Sequence, residues 1–166
     1  NKTIDRRKII IAVGRLSEQK RFDRLIDAVA HLKDEMRRLG WVAEIYGEGP
    51  LHDSLSKQIS SLNINDLISL KGNVDNINDI MNSSSLYVMP SEFEGLSIAM
   101  LEAISYGLPV ICFEECIGVE DIIINNHNGF VVSDVSSFAN AIEKYMADYP
   151  LLETHALNTK LVSEKF

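Results

Sequence analysis

The chain has 166 residues, 46% of them hydrophobic and 24% charged, which suits one soluble domain around a single substantial core. Its net charge of −8 argues against broad nucleic-acid binding, because surfaces that track phosphates are basic overall. Two cysteines, Cys112 and Cys116, exclude a disulfide framework and a cysteine-rich zinc site; they read as a reduced, intracellular pair with Cys112 in the core.

Strand and helix patterns alternate along the chain with short connections. Residues 8–13 form a continuous apolar run, as in a parallel strand covered on both faces. Phe22, Leu25, Ile26, Val29, Leu32, Met36 and Leu39 then recur at helical spacing, and Gly40 ends that helix. A second strand over 41–46 stops at Gly47-Glu48-Gly49-Pro50, and Leu51, Leu55, Ile59 and Leu62 mark a second helix. Strand 67–70, a short helix over 77–81 and strand 86–89 follow. From Leu96 to Tyr106 runs a helix so apolar that it reads as buried on most sides. Strand 109–112, a helix near 119–125, strand 130–132 and a helix over 135–146 complete the alternation, and 150–166 is weakly helical. This order predicts an α/β fold: a doubly wound, Rossmann-like, mostly parallel sheet of about six strands. Residues 1–166 read as a single domain with its core over 8–148. No apolar run reaches membrane-spanning length. Beginning with asparagine, the chain reads as an excised piece, so the lack of a signal peptide carries no weight.

Ligands of open α/β sheets sit beyond the carboxyl ends of the strands, and the distinctive residues fall there. Gly14 and Arg15 follow the first strand, and Lys20 lies near the start of the next helix. Glu94 stands on the turn into the apolar helix, where backbone N–H groups favour anions, and Glu102 lies inside that helix. An unpaired carboxylate there is costly, so Glu102 needs a hydrogen-bonding partner or a polar cavity. Arginine, lysine and a helix amino terminus on one edge suit a pyrophosphate, and carboxylates beside them suit hydroxyls. The plainer alternatives are a capping glutamate with one internal salt bridge, and surface pairs of Arg15 and Lys20 with Glu18 and Asp23. Arg6-Arg7-Lys8 forms a second basic cluster, of the kind that is usually a solvated face. Gly47–Pro50 reads as a tight turn, since the six-residue dinucleotide glycine pattern is absent. Glu92-Phe93-Glu94 lacks the companions a divalent metal site needs. His31, His52, His127 and His155 are scattered and read as structural.

Several ordered segments together resemble the group 1 retaining glycosyltransferases. Val13-Gly14-Arg15-Leu16, Lys20 and the helix over 22–28 resemble the family's first motif. Residues 90–95 through Leu101-Glu102-Ala103, with Gly107-Leu108-Pro109-Val110, resemble its E-x7-E signature. Residues 45–50, Leu70-Lys71-Gly72 and Asn128-Gly129-Phe130-Val131 match further landmarks in the same order. The resemblance implies the C-terminal, donor-binding half of a two-domain GT-B enzyme, with the N-terminal acceptor domain absent from this chain. It implies transfer of a sugar, a hexose above all, from a nucleotide-sugar to a glycan or lipid-linked acceptor, with no cofactor and no essential metal. By resemblance, Arg15, Lys20 and Glu94 are catalytic. Gly14, Arg15, Lys20, Glu94, Gly95, Leu96, Ser97 and Glu102 bind the donor: Arg15 and Lys20 its diphosphate, Glu94 and the amides of Gly95 to Ser97 its sugar and phosphate, Glu102 its ribose. Backbone near 72–74 is implied to hold the base. The enzyme is expected in the cytoplasm, peripherally at the inner membrane face, in polysaccharide assembly. Arg21 and Ser97 stand where the family often has glycine, the first adding charge near the phosphates and the second narrowing the sugar pocket; Asp121 stands where it favours glutamate. A stand-alone nucleotide or phosphosugar-binding module, or another GT-B enzyme such as a nucleotide-sugar epimerase, is the alternative, and a scaffolding domain ranks last.

Overall fold

Six parallel strands carry the fold in the computed structural model, which describes residues 6–95, 97–116 and 118–165. They are β1 (Ile9–Val13), β2 (Val42–Tyr46), β3 (Ile68–Gly72), β4 (Leu86–Met89), β5 (Val110–Phe113) and β6 (Gly129–Val132), in the order β3-β2-β1-β4-β5-β6. Ile10 of β1 stands opposite Ala43 of β2 on one side and Leu86 of β4 on the other. The central strands β1, β4 and β5 are apolar throughout because both faces are covered, whereas the edge strand β3 carries Ser69 and the exposed Lys71. Ile10, Ala12, Ala43, Ile45, Val88, Ile111 and Phe113 lie in one core, with α1 (Phe22–His31), α2 (Lys33–Leu39), α3 (His52–Ser61) and α6 (Val135–Ala147). Ile11, Tyr87, Met89, Val110 and Cys112 lie in the other, with α4 (Ile77–Ser83) and α5 (Ile98–Ser105). The chain reverses its direction of winding between β1 and β4, so the carboxyl ends of these neighbours open a crevice.

Four expectations need correction. The periodic stretch 22–39 is two helices, because Leu32 (φ −98°, ψ 10°) leaves helical geometry between them; Leu32 and Met36 both stay buried, so the apolar period runs on through the break. Residues 119–125 form turns rather than a regular helix. The buried Asn128 side chain intercepts their backbone, accepting from the Ile124 N–H at 2.7 Å and donating to the Ile122 carbonyl at 2.7 Å. The weakly helical tail is a 15-residue helix, α7 (Tyr149–Ser163). Asp148 caps it, and buried His155 and Thr159 fix it: the Tyr145 hydroxyl and His155 Nδ1 share a hydrogen bond of 2.6 Å, and Thr159 donates to the Asn128 carbonyl at 3.1 Å. Finally, α5 is not buried on most sides: Met100, Ala103 and Ile104 face the core, while Ile98 is 76% exposed and Leu101 36%.

The basic residues at the amino end of β1 hold helix ends. Arg6 donates to the carbonyl of Tyr106, which caps α5, and Lys8 donates to that of Leu39, the last residue of α2, at 2.9 Å. Both cysteines are buried and free, and burial pushes the Cys112 thiol up to about 12.

Candidate functional site

The loops after β1 and β2 are locked together by backbone. Gly14 N–H donates to the Tyr46 carbonyl at 2.9 Å, and Leu16 N–H to that of Glu48 at 3.1 Å. A β-carbon on Gly47, whose φ is 142°, would lie 1.9 Å from the Gly14 carbonyl oxygen, and one on Gly49 would lie 2.6 Å from that of Leu16. Gly47–Pro50 is thus a close-approach turn, and both glycines are required. Beside it opens a groove of about 360 Å³, lined among others by Gly14, Arg15, Tyr46, Gly72, Asn73 and Val74. Burial, then the charge of Glu44, pushes the Tyr46 phenol up to about 12, so it stays a neutral wall.

Arg15 stands exposed at the groove, with no ion pair among the described residues. Lys20 lies in a short 3-10 turn (Glu18–Lys20), its aliphatic stem against Gly14, where an added β-carbon would meet Lys20 Cδ and Cε at 3.3 Å. Its ammonium pairs with Glu94, not with Glu18 or Asp23. Lys20 and Glu94 are 23% and 14% exposed at the side chain, so the pair is largely desolvated.

Glu94 is carried by the loop from β4 to α5. Ser97 caps α5, accepting from the Met100 N–H at 3.3 Å, so its first structural task is to start the helix. Gly95 is exposed, with no atom within 4 Å of where a β-carbon would sit. Leu96, expected at the donor, lies outside the described residues. Glu102 is half-buried, and no described residue holds its carboxylate in an ion pair or hydrogen bond; the internal salt bridge is not found there. Both glutamates bear on one residue that sequence reasoning missed, Tyr87 of β4. Burial first, then the charges of Glu94 and Glu102, raises the pKa of its phenol, while Ser97 and the Val13 backbone act the other way. The tyrosine is the second residue of a central strand and fully buried, and nothing in its sequence surroundings flagged it.

Arg21 was expected to add charge near the phosphates, and the structure corrects this. Its guanidinium is taken up by Asp23, at 3.0 and 3.1 Å, and by Glu92. Glu92 is held by arginines rather than left open for a metal, since Arg24 also reaches it at 3.3 Å. Glu120 and Asp121 are exposed on the turn after β5.

An open sheet whose switch point gathers two cations, a helix amino terminus and the carboxylate of Glu94 has the architecture of α/β domains that take ligands beyond their strand ends. The family profile described as "Glycosyl transferases group 1" matches residues 1–161, and the chain belongs to that family. It is 30% identical over 145 residues to an uncharacterized glycosyltransferase of Haemophilus influenzae, covering 87% of this chain and 39% of that protein. It is 32% identical over 130 residues to the poly(ribitol-phosphate) alpha-N-acetylglucosaminyltransferase of Staphylococcus aureus, covering 76% of this chain and 25% of that one. The crystal structure of the pneumococcal O-GlcNAc transferase GtfA in complex with UDP and GlcNAc superposes with a TM-score of 0.89 at 26% identity. That match covers 98% of this chain and 34% of the other. The chain therefore spans well under half the length of these relatives, and its six-stranded α/β sheet is the fold it shares with the pneumococcal structure.

Proposed function

We propose that the chain is the donor-binding half of a retaining glycosyltransferase, forming one wall of a cleft whose other wall is an N-terminal, acceptor-binding domain. The observation that carries this reading is the convergence of Gly14, Arg15, Lys20 and Glu94 at the switch point between β1 and β4. Arg15 and Lys20 hold the donor diphosphate and stabilise the charge that collects on it as the glycosidic bond breaks. The amino end of α5, with the amides of 95–97, supports the same phosphates and the sugar. Glu94 accepts from sugar hydroxyls, Glu102 from the ribose, and the groove beside Tyr46 and Gly72–Val74 receives the base. No essential metal takes part, because the two cations and the helix terminus supply the positive charge at the leaving group.

The acceptor is a glycan or a lipid-linked glycan, and the enzyme acts in the cytoplasm, peripherally at the inner face of the membrane, in polysaccharide assembly. Phe93 beside Glu94 is 71% exposed, and with Ile98 it makes an apolar rim that suits a covering domain. None of the helices in the described residues is long and apolar enough to cross a membrane. A titration of nucleoside diphosphates tests the reading. UDP is the first probe, because the pneumococcal neighbour was solved with UDP and GlcNAc. Micromolar to millimolar binding of one diphosphate, unaffected by chelator, is expected; binding of none, or binding only with magnesium, refutes it.

A further inference from the structure

Glu94 sits on a loop that has little to fix it from within. Phe93, its neighbour, takes left-handed backbone (φ 49°) and turns its ring to solvent, and Gly95 is exposed. Ser91 is buried at the loop's start, but nothing apolar anchors the stretch 92–95 in the core. Beside the ion pair of Glu94 with Lys20 and the contact of the buried Cys116 thiol with the Ser91 carbonyl at 3.6 Å, what holds it is Glu92. Its N–H donates to the Gln19 carbonyl at 3.0 Å, and its carboxylate receives the guanidinium groups of both Arg21 and Arg24. Arg24 is only 9% exposed and stacks over the Phe113 ring at 4.1 Å. It also donates to the Pro90 carbonyl at 3.2 Å and to Glu115 at 3.2 Å. It is a fixed post on which the loop hangs.

Arg21 adds something different. It is the residue directly after Lys20, and it takes left-handed backbone itself (φ 51°, ψ 42°). A side chain there costs energy that glycine avoids. In return its guanidinium grips Asp23 on its own helix and Glu92 on the loop. One tie thus runs from the neighbour of Lys20 to a residue two before Glu94.

We infer that Arg21 and Arg24 are positioning residues which, by gripping Glu92, set the distance between Lys20 and Glu94. The inference rests on the donor-site reading above, in which Lys20 meets the diphosphate and Glu94 the sugar. A donor spans these two groups, so a loop free to drift by an ångström loses alignment at the bond that breaks, which can cost as much as ~100-fold in rate.

Arg21→Gly separates positioning from folding, because it relieves the left-handed strain while cutting the tie. In the complete polypeptide, its melting temperature is expected to match the parent or exceed it. Amide hydrogen exchange over 91–95 should quicken in Arg21→Gly and in Glu92→Gln. With UDP-glucose, UDP-galactose and UDP-GlcNAc as probes and UDP release as readout, kcat for the accepted donor should fall about tenfold while KM changes less. Arg21→Lys should recover most of the loss, and Arg21→Gly should add little in a Glu94→Gln background. Unchanged exchange in both loop variants overturns the tie. Quickened exchange with unchanged kcat, or a loss that adds in full to that of Glu94→Gln, overturns the positioning role. A parent protein that binds no nucleoside diphosphate and turns over no donor sinks the donor-site reading, and the positioning role with it.

Discussion

Glu94→Gln should tighten the binding of UDP, although the family resemblance assigns this glutamate to contacts with the donor's sugar and phosphate. The reason is the ion pair. Lys20 is engaged by Glu94 before any ligand arrives, and a diphosphate must draw the ammonium away. With side chains 23% and 14% exposed, the pair lies between the solvent-screened and the buried case. Exposed pairs contribute about 0.2–1 kcal/mol, and breaking a buried one costs about 3–5 kcal/mol. A competition cost of about 1–2 kcal/mol follows, which is roughly 5–30-fold in Kd at 1.4 kcal/mol per decade. Glutamine keeps the shape and a neutral acceptor but frees the cation, so UDP affinity should rise by about fivefold or more. Removing a negative charge beside the phosphates acts in the same direction. A double-mutant cycle with Lys20→Ala separates the two causes, because only the ion-pair share disappears when the lysine is gone. Lys20→Ala alone should weaken UDP. Calorimetric titration of the four proteins decides the matter. Unchanged or weaker UDP binding in Glu94→Gln would refute the competition, and an equal gain in the Lys20→Ala background would assign it to charge alone. Turnover in the complete polypeptide should still fall, since the carboxylate is lost where charge develops.

Arg15→Ala should weaken UDP by about 1.5–3 kcal/mol, the range for a hydrogen bond to a charged group, with no change in melting temperature because no described residue depends on it; calorimetry and a thermal melt check both. Glu102→Gln should weaken uridine and UDP alike, by about 1–3 kcal/mol, because both carry the ribose, and it should leave the fold intact; normal binding with lost stability would return Glu102 to a structural role. His155 should make stability fall on acidification. Burial, and then His127, lowers its pKa in the folded state, so between that value and the ordinary 6.5 the unfolded chain binds more protons; stability is full above 6.5 and is lost as pH falls below it. Melting temperatures followed downward from pH 7 should show a loss that His155→Phe flattens.

The sheet was legible in the residues because its central strands β1, β4 and β5 are covered on both faces, so burial and apolar sequence coincide there; the edge strand β3, with Ser69 and Lys71 partly open, is the weaker signal. The failures share a cause: an apolar pattern records which side chains avoid water, not what the backbone does between them. Leu32 keeps its place in the core while leaving helical geometry, so nothing in the period announces the break. The segment 119–125 has apolar residues at helical intervals, but the amide of Asn128 satisfies its backbone first. The tail after Pro150 looks weakly helical because a hydroxyl and an imidazole, Thr159 and His155, do part of the anchoring that an apolar stripe would do. In α5 the apolar composition is real, but Ile98 and Leu101 face outward.

The candidate site was legible as an address and illegible as a circuit. A sheet with this strand order brings the ends of β1 and β4 together whatever the loops contain, so Gly14, Arg15 and Glu94 had to meet there. Which charge answers which was another matter. Sequence neighbours made Glu18 and Asp23 the natural partners of Lys20, yet the pair that forms reaches across to Glu94. Arg21, the next residue, shows why local charge is a poor guide: it takes Asp23 for itself and extends to Glu92. Cation and carboxylate therefore alternate from Asp23 through Arg21 and Glu92 to Arg24 and Glu115, with Lys20 and Glu94 alongside. Such a network holds its charges in place before an anion arrives, which is the arrangement that stabilises a leaving group without reorganisation. It also leaves Arg15 as the cation at the groove with no partner among the described residues. On the proposed reading, an incoming diphosphate would meet that guanidinium first and compete for Lys20 second, so the two cations would enter the binding energy with different costs.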